Sequence, residues 1–150
     1  MMMSWTEKER LLLQDLKTQE QLCVDKYSEY ARRASDPELK ALFEQIRTAE
    51  QHHLDAINSL IHGQMPASGQ QGGTSLPRFA PVQGKADQQA DKYLCQDALC
   101  TEKEVSGTYD TCIFEFRDPQ VRDLLSSFQS AEQQHGLQLY QYMAGSGMAP

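Results

Sequence analysis

Apolar residues recur every three or four positions along most of this chain: Leu12, Leu16, Cys23, Tyr27, Ala31 and Ala34 in one stretch, then Leu39, Leu42, Phe43, Ile46, Ile57 and Leu60. That spacing keeps side chains on one face of an α-helix. Ser4-Trp5-Thr6-Glu7 reads as a capping box, in which a Ser hydroxyl and a Glu three residues on satisfy the free amides of a helix start. At Asp36-Pro37 the helical pattern must break, because the residue before a proline is pushed out of the helical region. Asp is a good N-cap and proline suits the first helical position, so a second helix is expected from Pro37 to about Gly63. The pattern returns at Leu94, Ala98, Val105, Tyr109, Ile113 and Phe116, turns at Arg117-Asp118-Pro119, and runs on through Val121, Leu124, Leu125, Phe128, Leu139 and Tyr142.

The two halves are copies. A shift of 82 residues places Glu20 on Glu102, Tyr27 on Tyr109, Asp36-Pro37 on Asp118-Pro119, Ala49-Glu50-Gln51 on Ala131-Glu132-Gln133 and His53 on His135, without a gap from Leu12 to His53. Such a repeat sets the architecture before any detail does. The expected fold is all-α, a four-helix bundle in one domain spanning 1–150, with helical hairpins at 4–62 and 87–144. Between them, 63–86 is rich in Gly, Gln, Pro and Ser and reads as a long crossover link; 145–150 reads as a short mobile tail.

Polar residues interrupt the apolar stripes in a consistent way. Glu20 lies on the stripe of Leu16, Cys23 and Tyr27; Glu50 and His53, three apart, interrupt the stripe between Ile46 and Ile57. Glu102, Glu132 and His135 repeat this. Glu20 and the Glu50/His53 pair lie about equally far from the Asp36 turn, so they reach one level of an antiparallel hairpin, and the second hairpin does the same. Six polar side chains therefore converge near mid-bundle, four of them carboxylates. Burying ionised carboxylates together costs several kcal/mol each, and no Lys or Arg shares their stripes at this level. Two divalent cations would balance the charge. A Glu from each of two helices with Glu-x-x-His from each of the others is the ligand pattern of di-iron and di-manganese bundles, and imidazole with carboxylate favours iron or manganese over structural zinc.

Composition narrows the partners. A formal net charge of -7 argues against nucleic acid, whose phosphates need clustered Lys and Arg. The first residues are short, polar and charged, unlike an export signal, and no segment has the length to span a membrane. Cys23, Cys95, Cys100 and Cys112 form no C-x-x-C pair and read as small buried side chains in a reducing compartment, so a cytoplasmic location is the default. His52 falls off the ligand face and should be solvated; His62 sits at a helix end.

At these residues the chain resembles the ferritin-like superfamily, its rubrerythrin-type branch in particular, where a first-helix Glu is followed seven residues later by a Tyr, as Glu20 and Tyr27 are, and then by a Glu-x-x-His helix. The resemblance implies that Glu20 and His53 hold one metal, Glu102 and His135 the other, and that Glu50 and Glu132 bridge them. It implies a dinuclear iron or manganese centre reacting with peroxide or dioxygen, with Tyr27 and Tyr109 beside it donating a hydrogen bond or an electron. Two metals about 3.5–4 Å apart can hold both oxygens of a peroxide. The chain departs from that branch in having Val105 where an additional carboxylate is usual, no rubredoxin-type segment, and no fifth helix of the storage cages. A second resemblance, to spore-coat F-type proteins, rests on Leu11 to Lys17, the Asp-Pro hairpins, the Gln/Gly/Pro link and the ending Tyr142-Met143-Ala144-Gly145. It implies a structural coat protein stapled by its metals, a spore-coat location and coat proteins as partners; a homodimer is a further expectation.

Overall fold

The computed structural model describes residues 2–67, 77–82 and 87–148. Of the expected link 68–76 and 83–86, and of the tail 149–150, lie outside the described residues. Four helices account for the regular structure there: α1 (Glu7–Arg33), α2 (Pro37–Ile61), α3 (Gln88–Glu115) and α4 (Pro119–Gly145). They form the four-helix bundle that the repeat implies.

Helix ends follow local chemistry. Asp36 and Asp118 each accept a hydrogen bond from the amide two residues on, and Pro37 and Pro119 occupy the first turns. The first helix begins two residues later than the Ser4-Glu7 signature suggests. Thr6 is the cap: its hydroxyl accepts from Glu9 N at 3.0 Å while Thr6 N donates to Glu9 Oε1 at 2.9 Å. The sequence holds two overlapping capping boxes, and tertiary contacts select between them. Trp5 Nε1 donates to Leu60 O at 2.8 Å and Met3 N to Gly63 O at 2.7 Å, which holds the residues before Thr6 against the end of α2. Gly63, at φ +78°, ends that helix where a Cβ would come within 2.9 Å of Met3 O.

Within each hairpin α1 packs on α2 and α3 on α4; between hairpins α1 lies against α3 and α2 against α4. The start of α1 meets the end of α3, where Trp5 stands edge-on to Phe116 with centroids 5.7 Å apart. The start of α3 meets the end of α1, where Ser35 N donates to Asp91 Oδ1 at 2.9 Å. The α1–α3 contact is therefore antiparallel, and the link must travel the length of the bundle. Of its described residues, 77–82 lie at the far end: Val82 N donates to Asp36 Oδ2 at 3.1 Å and Pro81 packs on Gly145.

The interior is not one apolar mass but two. One cluster gathers Tyr27, Tyr30, Leu42, Phe43, Ile46, Leu139 and Tyr142; the other gathers Leu13, Leu16, Ile57, Tyr109, Phe116 and Phe128. Leu13 is fully buried and Leu12 only partly, a shift of one position from the stripe read off the sequence. Cys23, Cys95 and Cys112 are buried as expected, but Cys100 is exposed on the outer side of α3. A layer of polar side chains separates the two clusters.

Candidate metal centre

Every helix contributes to that layer: Glu20 from α1, Glu50 and His53 from α2, Glu102 from α3, Glu132 and His135 from α4. None is more than 4% exposed. The convergence is a consequence of helix geometry. Glu20 and Glu50 stand nearly equidistant from the α1–α2 turn, and a spacing of three residues turns His53 to the same side as Glu50.

The donors fall into two overlapping groups, Glu20, Glu50, His53 and Glu132 in one and Glu50, Glu102, Glu132 and His135 in the other, each with its donor atoms within 4.8 Å of one another. Glu50 and Glu132 belong to both. His53 Nδ1 faces three carboxylates, at 3.0 Å from Glu50, 3.1 Å from Glu132 and 3.3 Å from Glu20. His135 Nδ1 sits 2.8 Å from Glu102, with Glu50 and Glu132 at 3.9 and 4.0 Å. Phe128 stacks on the His53 ring at 4.2 Å and closes that side with apolar surface.

The protein does not satisfy these acids. Five of the eight carboxylate oxygens have no hydrogen-bond partner: Glu20 Oε1, Glu50 Oε2, Glu102 Oε2 and both oxygens of Glu132. A buried polar atom without a partner costs about 1–3 kcal/mol, more when charged. Among the described residues no Lys or Arg forms an ion pair with any of the four. Lys26, close by on α1, is turned to Thr101 Oγ1 at 3.1 Å and Asp97 at 3.8 Å instead, beside the hydroxyl of Tyr30, which also donates to Asp97.

The electrostatics record the same shortfall. Burial pushes the Glu20 carboxyl up to about 7, the charge of Glu50 adding to it against the pull of His53. Glu132 is raised well above the usual carboxylate range by burial and by Glu102 and Glu50. For His53 burial works downward, but its hydrogen bonds to Glu20 and Glu50 prevail and hold it at about 9. In this state the layer offsets part of its charge with protons. Divalent cations do the same with several oxygens each, so hard oxygen donors with two imidazoles fit a pair of first-row divalent ions.

Tyr109 donates its hydroxyl to Glu20 across the hairpin interface, so it touches the centre directly. Tyr27, its counterpart in the repeat, faces the Ala98 carbonyl at 3.5 Å. Burial, then the surrounding glutamates, hold both phenols well above their ordinary pKa. His52 is exposed, and His62 caps α2 with Nδ1 2.8 Å from Asn58 O.

Two buried acids outside the layer escaped the sequence reading. Glu9 accepts from Arg117 N at 2.9 Å and from its guanidinium at 3.0 Å; Asp91 accepts from Ser35 N at 2.9 Å, Ser35 Oγ at 3.0 Å and Asp36 N at 3.1 Å. They are repeat partners, 82 residues apart, as are Arg117 and Ser35. In each repeat an acid from the first helix clasps the turn of the other hairpin. Carrying the alignment three residues upstream of Leu12 would have exposed the pair.

Residues 90–150 match the family model of the Coat F domain, a stretch that takes in nearly all of α3 and the whole of α4 with Glu102, Glu132 and His135. No curated protein and no solved structure matches the chain. The second hairpin is thus similar to a coat-type domain, and the first is its internal copy. Among the described residues no helix is long and apolar enough to cross a membrane.

Proposed function

We propose that this chain is a structural protein of the spore-coat type whose bundle is stapled at mid-height by two divalent cations, iron or manganese. The coat assignment is supported by the Coat F match over residues 90–150. The staple is supported by one observation above all: five buried carboxylate oxygens, drawn from all four helices, that accept no hydrogen bond from the protein. Glu20 with His53 and Glu102 with His135 would each hold one cation, and Glu50 and Glu132 would be shared between them. The cations would supply charge compensation and a cross-tie between the hairpins. The chain's own contribution is to hold the donors in place, Tyr109 by its hydrogen bond to Glu20 and Phe128 by its stack on His53. Binding to a folded site is folding free energy, so a coat built from such bundles gains resistance to heat and denaturant without a larger core.

A second reading is favoured by one specific feature. The Tyr109 hydroxyl touches a ligand, Tyr27 lies buried nearby, and a loaded iron or manganese pair would supply redox chemistry toward peroxide or dioxygen. Metal analysis of protein purified without chelator, with Glu50→Ala as control, tests the staple: two ions per chain should fall to near zero in the variant. Peroxide consumption by the iron- or manganese-loaded protein separates the readings. Full stabilisation without turnover supports the coat protein, whereas turnover lost with Glu50→Ala supports the oxidoreductase. Recovery in coat extracts of spores tests location.

A further inference from the structure

The two hairpins repeat in sequence but not in what they show to solvent. On the outer side of α3, Tyr93, Cys100, Gly107 and Phe114 recur every seven residues, and all are exposed, Tyr93 at 67% and Phe114 at 70%. The same positions of α1, 82 residues earlier, are Leu11, Thr18, Asp25 and Arg32. One copy of this face is mostly polar and the other is aromatic and small. Nothing inside the bundle requires the difference, since these side chains point away from the core, and nothing among the described residues covers them. A seven-residue apolar repeat drifts by only about 20° per step and so presents a continuous seam to another helix.

The order along the seam selects the partner. Large, small, small, large reads the same in both directions. A second α3 laid antiparallel, with a twofold axis between positions 103 and 104, sets Tyr93 against Phe114 of the second copy and Cys100 against its Gly107. Gly107 has nothing within 4 Å of where a Cβ would stand, so the opposing thiol finds room. The same operation sets Lys103 opposite Glu104 and Lys92 opposite Glu115 of the other copy. Asp97 and Asp110 fall opposite each other, and Asp97 is already held by Tyr30 and Lys26 of its own chain. A parallel pairing would instead put Lys103 on Lys103 and Glu104 on Glu104.

We propose that the outer face of α3 is the interface of a homodimer in which two copies of this chain pair α3 against α3, antiparallel, about a twofold axis. The contact uses no residue of the metal centre, so it stands or falls independently of that reading. Sedimentation velocity of the full chain across the micromolar range should show the 17.0 kDa monomer giving way to a species of twice that mass. Phe114→Glu should weaken the dimer by about 100-fold, because symmetry removes the contact twice, while circular dichroism and melting of the monomer stay as they were. Gly107→Cys, incubated with oxidised glutathione, should give a covalent dimer through Cys100 of the other copy, and adding Cys100→Ser should abolish it. A chain that stays monomeric throughout, a dimer indifferent to Phe114→Glu, or a wild-type chain that cross-links through its own Cys100 pair would each overturn the antiparallel seam.

Discussion

Glu9 and Glu132 are both glutamates buried in one bundle, 1% and 0% exposed, and the molecule treats them in opposite ways. Around Glu9 the protein supplies donors: two backbone amides, from Thr6 and Arg117, and the Arg117 guanidinium. Burial works against ionisation there, yet these bonds outweigh it and hold the carboxyl down at about 2. Around Glu132 neither oxygen accepts a well-aligned hydrogen bond, although His53 Nδ1 stands 3.1 Å away, and burial with the neighbouring glutamates drives the carboxyl upward. An acid satisfied by its own chain is a structural clasp. An acid left open, in company with three others and two imidazoles, is what the proposed cation site rests on. The contrast separates the two roles better than burial does.

The largest expected break falls on the open layer. For protein holding ions at about a thousand times their dissociation constant, chelation should remove about 4 kcal/mol of stability. Denaturant melts of loaded and stripped protein measure this, and Glu132→Ala should melt alike with and without added manganese. An unchanged melt on stripping would show that the layer needs no ion.

The clasp comes next. Glu9 has a folded pKa below its ordinary value of 4.5, so its contribution is full above that pH and is lost as the pH falls toward 2. Allowing for solvent around the exposed Arg117, the loss is about 2 kcal/mol. Glu9→Gln should cost a similar amount at neutral pH and flatten the stability profile between pH 4.5 and 2. A profile as steep in the variant as in the wild type would place the acid sensitivity elsewhere.

Much of this was legible before any coordinates. The 82-residue repeat carries the hairpins, and the repeated Glu and Glu-x-x-His positions carry the six layer residues, because one helical period fixes both face and height. What escaped depends on tertiary choice. Two capping boxes overlap at Ser4 to Glu9, and only the Trp5 and Met3 contacts with the end of α2 decide between them. Glu9 and Asp91 look like ordinary first-turn acids until the opposing turn is placed beside them. Cys100 is a different case: its five-residue spacing from Cys95 already sets it on another face of the helix, and only the default of a small buried thiol hid its exposure.

A smaller effect compares the two clasps. Asp91 is held by uncharged donors alone, so Asp91→Asn should cost about 1 kcal/mol and be insensitive to salt. The Glu9 clasp contains an ion pair reaching solvent and should lose a few tenths of a kcal/mol in concentrated salt. Melts of Asp91→Asn and Glu9→Gln at low and high salt separate them; equal salt dependence would mean that the guanidinium adds nothing beyond its backbone amide.

The finest test makes the same substitution in both regions of stripped protein. Glu132→Gln replaces an acid that accepts no well-aligned hydrogen bond, keeps an oxygen for the His53 contact at 3.1 Å, and brings an amide that can donate to Glu50 or Glu102. The expected change lies between zero and about 1 kcal/mol of stabilisation, whereas Glu9→Gln destabilises, because a carboxylate accepting from two amides and a guanidinium is replaced by a group half of which donates. Opposite signs for one chemical change locate the difference in the surroundings rather than in the residue. Should Glu132→Gln destabilise the stripped bundle as much as Glu9→Gln does, the layer would be a satisfied polar network like the clasp, and the reason for placing cations in it would be gone.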